Sequence, residues 1–164
     1  MDDPYHLERF IAAQDADGTY GRAVGELRRG RKTGHWMWFV FPQVAGLGQS
    51  QRSRTYAIAS LEEARAYLQH PVLGPRLREC AALVADSPAR TAAELFGGTD
   101  TQKLRSSMTL FRRADPREPV FQRVLDRYFQ GRPDPATEAR VSQPDPPREG
   151  AARGRTRDGG RPGQ

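Results

Sequence analysis

The sequence holds a single cysteine, Cys80, so no disulfide can form within the chain, and its three histidines, at positions 6, 35 and 70, fall at no metal-ligand spacing. No metal is therefore expected, and no cofactor is indicated. Long hydrophobic runs are also missing. The longest is Trp36 to Phe41, far short of the roughly 20 residues that cross a bilayer. The opening Met-Asp-Asp-Pro-Tyr-His has neither the basic nor the apolar stretch of a secretory signal. A cytoplasmic protein with no membrane partner is expected. Apolar residues make up only 37% of the chain, below the usual range, which implies that some part of it contributes nothing to a core. From Asp134 to Gln164 there is no Leu, Ile, Met, Phe, Tyr or Trp. Such a stretch buries too little apolar surface to offset the entropy of ordering it. The expectation is one compact domain over residues 1–138 and a disordered Pro/Gly/Arg-rich tail over 139–164. Signatures of common chemistry are absent as well: there is no Gly-x-Ser-x-Gly elbow, Cys-His nucleophile pair or dinucleotide fingerprint. Glu62 and Glu63 are adjacent, and adjacent helical positions point apart, so no carboxylate dyad is visible.

What is present is helical spacing. Asp3-Pro4 has the form of a cap with proline at the first helical position, ahead of Leu7, Phe10 and Ile11. Asp17-Gly18 breaks that helix, and Tyr20, Val24 and Leu27 carry a second one to Gly30. Ser60 with Glu63, and Thr91 with Glu94, have capping-box spacing for two further helices. The first of these runs to about Gln69 and the second stops at Gly97-Gly98. Between them, Leu73, Leu77, Cys80 and Val84 form the buried stripe of a helix over about 71–85. A helix capped by Thr99 or Asp100 follows to about Arg113, and Pro119 to Gln130 presents a broad apolar face. The fold expected is mainly α, a single domain of about six to seven helices.

Both tryptophans lie in one segment, His35-Trp36-Met37-Trp38-Phe39-Val40-Phe41-Pro42-Gln43. A short apolar run bounded by glycine and proline is equally a buried strand or a buried helical turn, and periodicity does not decide between them. Core packing is one reading of the aromatic residues, and a face that stacks on a ligand is the other. His35 differs, because it follows Gly34 at the edge of the run, where a glycine can let a ligand approach, and an imidazole there could donate or accept a proton near neutral pH. Two further patches join it as candidates. Lys103, Ser106 and Ser107 share a strip near a helix N-terminus, a combination suited to an anion, although helical serines also bond back to carbonyls. Arg54 and Tyr56 follow the Gly46-Leu47-Gly48 loop, where an Arg fork could hold phosphate or carboxylate.

Several blocks taken together resemble a bacterial family known as domain of unknown function 1810. They are Gly34 to Gln43, Gly46 to Ser50, Tyr56-Ala57-Ile58, Glu63 to Leu68, His70 to Gly74 with Arg76-Leu77, and Lys103 to Phe111. The resemblance covers about residues 4–138 and implies a mainly helical fold. It implies no activity, and nothing in these residues supports the protease-inhibitor label, calpastatin, that some members carry.

The leading functional expectation is a domain that binds a small anionic, nucleotide-like ligand, with His35 as the catalytic candidate. Trp36, Trp38, Gln43, Arg54, Tyr56, Lys103, Ser106 and Ser107 would be the ligand-binding candidates, converging on one pocket. An adaptor module, docking a protein through the aromatic segment without chemistry, is the second reading. Nucleic-acid binding through Arg28-Arg29-Gly30-Arg31-Lys32 and the tail comes third, because the net charge of +6 is modest and no nucleic-acid motif is present.

Overall fold

The computed structural model describes residues 3–142, and over that span the chain is mainly α-helical. Residues 143–164 of the expected tail lie outside the described residues. The helices are α1 (Glu8–Asp15), α2 (Thr19–Arg29), α3 (Met37–Val40), α4 (Gln51–Thr55), α5 (Leu61–Gln69), α6 (Leu73–Ala85), α7 (Ala92–Ala114), α8 (Pro119–Phe129) and α9 (Pro135–Ser142). Two short helices, α3 and α4, and the last, α9, go beyond those expected from periodicity.

Local chemistry explains most of the boundaries. Ser60 Oγ accepts the Glu63 N–H at 3.1 Å and Thr91 Oγ1 accepts the Glu94 N–H at 3.0 Å, so both caps form as the spacing predicts. In each case the glutamate reaches one residue further back than a standard box, to the N–H of Ala59 or of Arg90. Asp17 and Gly18 both adopt left-handed backbone and separate α1 from α2. The two helices expected on either side of Gly97-Gly98 are arms of one kinked element, since Gly97 (φ 78°, ψ 173°) interrupts α7 and only glycine adopts that conformation without strain. Asp100 is therefore not a cap but lies inside the second arm. At the N-terminus, Asp3 takes the N–H groups of Leu7 (2.7 Å) and Glu8 (3.0 Å), yet His6 turns to φ 54° and helix starts only at Glu8.

Helix α7 is central, packing on α5, α8 and α9, while α6 packs on α2, α5 and α8. The core is aromatic at its centre: Phe10, Tyr67, Phe111 and Phe121 stand in a chain of ring contacts 5.1–6.0 Å apart. A second set, Trp36, Phe41 and Phe96, extends it toward the start of α7. The segment from Trp36 to Phe41 resolves as a buried helical turn. Pro42 ends it, and the chain then pairs with residue 58 through Ile58 N–H to Gln43 O and Ala45 N–H to Ile58 O, both 2.8 Å. No helix among the described residues is long and apolar enough to cross a membrane.

Helix α9 continues the ordered chain past residue 138, through a segment that composition alone assigns to the tail. The reason is polar. Asp134 is 3% exposed, and its carboxylate accepts from Gln102 Nε2 (2.7 Å), Ser106 Oγ (3.2 Å), Thr137 N (3.0 Å) and Thr137 Oγ1 (2.7 Å). Arg112 and Arg113 of α7 add ion pairs to Glu138. A fully satisfied buried carboxylate anchors a segment that has little apolar surface to bury. Replacing Asp134 with Ala orphans these donors and is expected to cost about 3 kcal/mol in urea unfolding; an unchanged midpoint would show that α9 is not held this way.

Candidate functional site

The site is assembled around Glu26, which sequence patterning had not singled out. Ala23, Glu26, Leu27 and Gly30 occupy one face of α2 and its cap, and that face is buried. Gly30 (φ 83°) closes the helix by donating to the carbonyls of Glu26 and Leu27, which turns the chain back over its last turn. Glu26 Oε1 then accepts three hydrogen bonds from the returning loop: Thr33 N at 2.8 Å, Gly34 N at 2.9 Å and Trp36 Nε1 at 2.9 Å. Burial by itself would raise the Glu26 pKa, but the donors from Gly34, Thr33 and Trp36 prevail and hold the carboxyl below its ordinary value. Gly34 is required for a reason other than ligand approach: a Cβ there would stand 2.9 Å from Trp36 Cδ1 and 3.3 Å from Glu26 Oε2. The glycine makes room for the indole.

A second cluster braces the same loop from α7. The Lys32 side chain is 7% exposed; its Nζ donates to Gly34 O at 2.5 Å, pairs with Asp100 at 2.8 Å and lies 4.9 Å from the centre of the Trp36 ring. Asp100 also pairs with Lys103 at 3.0 Å, and Lys103 Nζ sits 4.2 Å from the centre of the Trp38 ring. Burial would raise the Asp100 pKa, yet the two lysines outweigh it and lower the pKa. Lys32 therefore belongs to the interior rather than to a solvated basic face. Arg28, Arg29 and Arg31 remain at the surface or near it.

A cleft of about 350 Å³ opens beside this clasp, lined among others by Arg22, Glu26, His35, Trp36, Arg52 and Tyr56. Arg52 makes no ion pair among the described residues and lies over the Trp38 ring at 5.6 Å. Tyr56 is fixed by its neighbours: Arg9 donates to the carbonyls of Thr55 and Ala57 on either side of it, each at 2.8 Å, and pairs with the buried Glu63 at 3.0 Å. Phe39 packs against the Tyr56 ring at 5.3 Å.

The structure thus brings His35, Trp36 and Tyr56 together and leaves the other expected site residues apart from the cleft. His35 is exposed at its edge, whereas Trp36 is 1% exposed with its N–H committed to Glu26, so it forms a wall and not an open stacking face. Trp38 is half-buried beside Arg52 and Lys103. Gln43 contributes its backbone carbonyl to the pairing with Ile58. Arg54 is exposed on α4, and the arginine of that patch that enters the cleft is Arg52. Lys103 reaches the loop only through Asp100 and Lys32. Ser106 and Ser107 are buried, the first holding Asp134; the shared strip with Lys103 does not face solvent. Glu26, Arg22 and Arg52 are the cleft residues that patterning missed. The available signal was an acid on the inward stripe of an amphipathic helix.

The family model described as "Protein of unknown function (DUF1810)" matches residues 4–141. The chain belongs to this family. A solved structure, that of the conserved hypothetical protein Rv1873 from Mycobacterium tuberculosis, is similar at 51% identity with a TM-score of 0.83, covering 87% of this chain and 100% of that one. No curated protein matches. The helical fold that the family resemblance implied is the fold observed.

The lowered pKa of Asp100 fixes a pH dependence. A carboxyl whose pKa falls on folding from its ordinary 3.8 adds stability in full above that value and loses it as pH drops through the folded one. The stability gap between wild type and Asp100→Asn, followed by urea unfolding from about pH 7 to about pH 2, should stay constant down to about pH 4 and narrow below it. A gap independent of pH would contradict the Lys32 and Lys103 pairing.

Proposed function

We propose that this protein binds a small anionic, nucleotide-like ligand in the cleft beside Glu26, with His35 placed at the edge for proton transfer to it. One observation carries the reading: Arg22 and Arg52, neither in an ion pair among the described residues, share a cleft of about 350 Å³ with His35 and the half-buried Tyr56 ring. That volume suits a sugar phosphate or a mononucleotide, and guanidinium groups beside an aromatic ring suit phosphate and a planar base. The aromatic segment supports a cleft over a docking patch, since Trp36, Met37, Phe39, Val40 and Phe41 are all buried. We place the protein in the cytoplasm, in keeping with such a ligand.

The test is a thermal-shift and calorimetric titration with mononucleotides and sugar phosphates. Saturating ligand at about 100 times Kd should stabilise the fold by about 2.7 kcal/mol. Arg52→Ala should weaken binding by about tenfold or more, as expected for loss of a charged hydrogen-bond donor, and His35→Ala should weaken it less. Stabilisation that survives both substitutions would put the ligand elsewhere.

A further inference from the structure

Half of the Glu26 carboxylate is used by the fold and half is not. Oε1 is saturated by three N–H donors, while Oε2 receives no hydrogen bond among the described residues. The residue is only 6% exposed, yet it lines this cleft and also the shallow groove that runs along α2 past Gly21, Arg22, Gly25 and Arg29. Oε2 is not among the fully buried atoms left without a partner; it meets the solvent of the cleft, where a ligand donor can take the place of water.

The surroundings restrict what that donor can be. Arg22 and Arg52 share the cleft, so an ammonium group would meet their positive charge. A phosphate or carboxylate against Glu26 would meet its negative charge. A neutral hydroxyl avoids both. We infer that Glu26 Oε2 accepts a sugar hydroxyl of the ligand while the ligand's phosphate lies on the arginine side, so that the cleft selects phosphorylated ligands that keep their ring hydroxyls. This rests on the nucleotide-like reading above and orients the molecule within it. Glu26 then acts twice: Oε1 fixes the loop that carries His35, and Oε2 reads the ligand held next to that loop.

The experiment uses the full chain and three probes, AMP, 2′,3′-dideoxy-AMP and ribose 5-phosphate, titrated calorimetrically into wild type and Glu26→Gln. Gln keeps an acceptor for the loop but is free to present N–H in place of Oε2. In wild type, AMP should bind roughly 10- to 100-fold more tightly than the dideoxy nucleotide, the range for losing a hydrogen bond to a charged group. In Glu26→Gln the two should bind alike, and ribose 5-phosphate should weaken in step with AMP. Equal binding of AMP and dideoxy-AMP to wild type overturns the inference while leaving the anion site standing, as does a preference that Glu26→Gln preserves. Binding of none of the three probes overturns the inference and the nucleotide-like reading together. Should the variant fail to fold, the wild-type comparison of the two nucleotides decides by itself.

Discussion

The carboxylate of Glu26 is the constraint around which the loop from Arg31 to Trp36 is built. A buried acid is costly unless its charge is matched by donors, and here the donors are two backbone N–H groups and the indole of a tryptophan that also belongs to the core. The same three bonds therefore stabilise the charge, set the path of the loop and fix the orientation of Trp36. His35 stands between two residues that Glu26 holds, so its position at the cleft is a consequence of that clasp. Lys32 and Asp100 brace the loop from α7, which ties the cleft to the central helix of the fold.

Buried carboxylates organise three places where apolar packing does not reach. Glu26 holds a loop, Asp134 anchors α9, and Glu63 with Arg9 holds the strip that carries Tyr56. Each is paired or hydrogen-bonded, the condition under which burial of charge is tolerated. The core is made of aromatic and aliphatic residues, and these three acids join peripheral segments to it.

That division also explains what could be read in the sequence. Helices with a clear apolar stripe, α5, α6 and α8, stand close to where spacing places them, and the Asp17-Gly18 and Gly97 interruptions fall where glycine allows. The helical turn at Met37–Val40 was undecidable, because the short apolar run from Trp36 to Phe41 has no periodicity to measure. Helix α9 escaped because the absence of large apolar residues is evidence about the hydrophobic term alone, and Asp134 acts through another. At the site, His35 and Tyr56 were legible from their local context. Glu26 was not, since a glutamate in an Arg-rich helix resembles a solvent-facing one until its register is traced onto the face shared with Ala23 and Leu27. Arg52 was not singled out because which of two exposed arginines on a single short helix lines the cleft is settled by the position of Trp38 and not by spacing.

The clasp at Glu26 is the part of the site open to the most direct physical test. The chain has two tryptophans, so two indole N–H signals report on it in a nitrogen-edited NMR spectrum. Hydrogen exchange of those two signals should differ sharply. Trp36 should be strongly protected, since its N–H is buried against a carboxylate, and Glu26→Gln should reduce that protection. An indole N–H of Trp36 that exchanges as freely in wild type as in an unfolded chain would contradict the account.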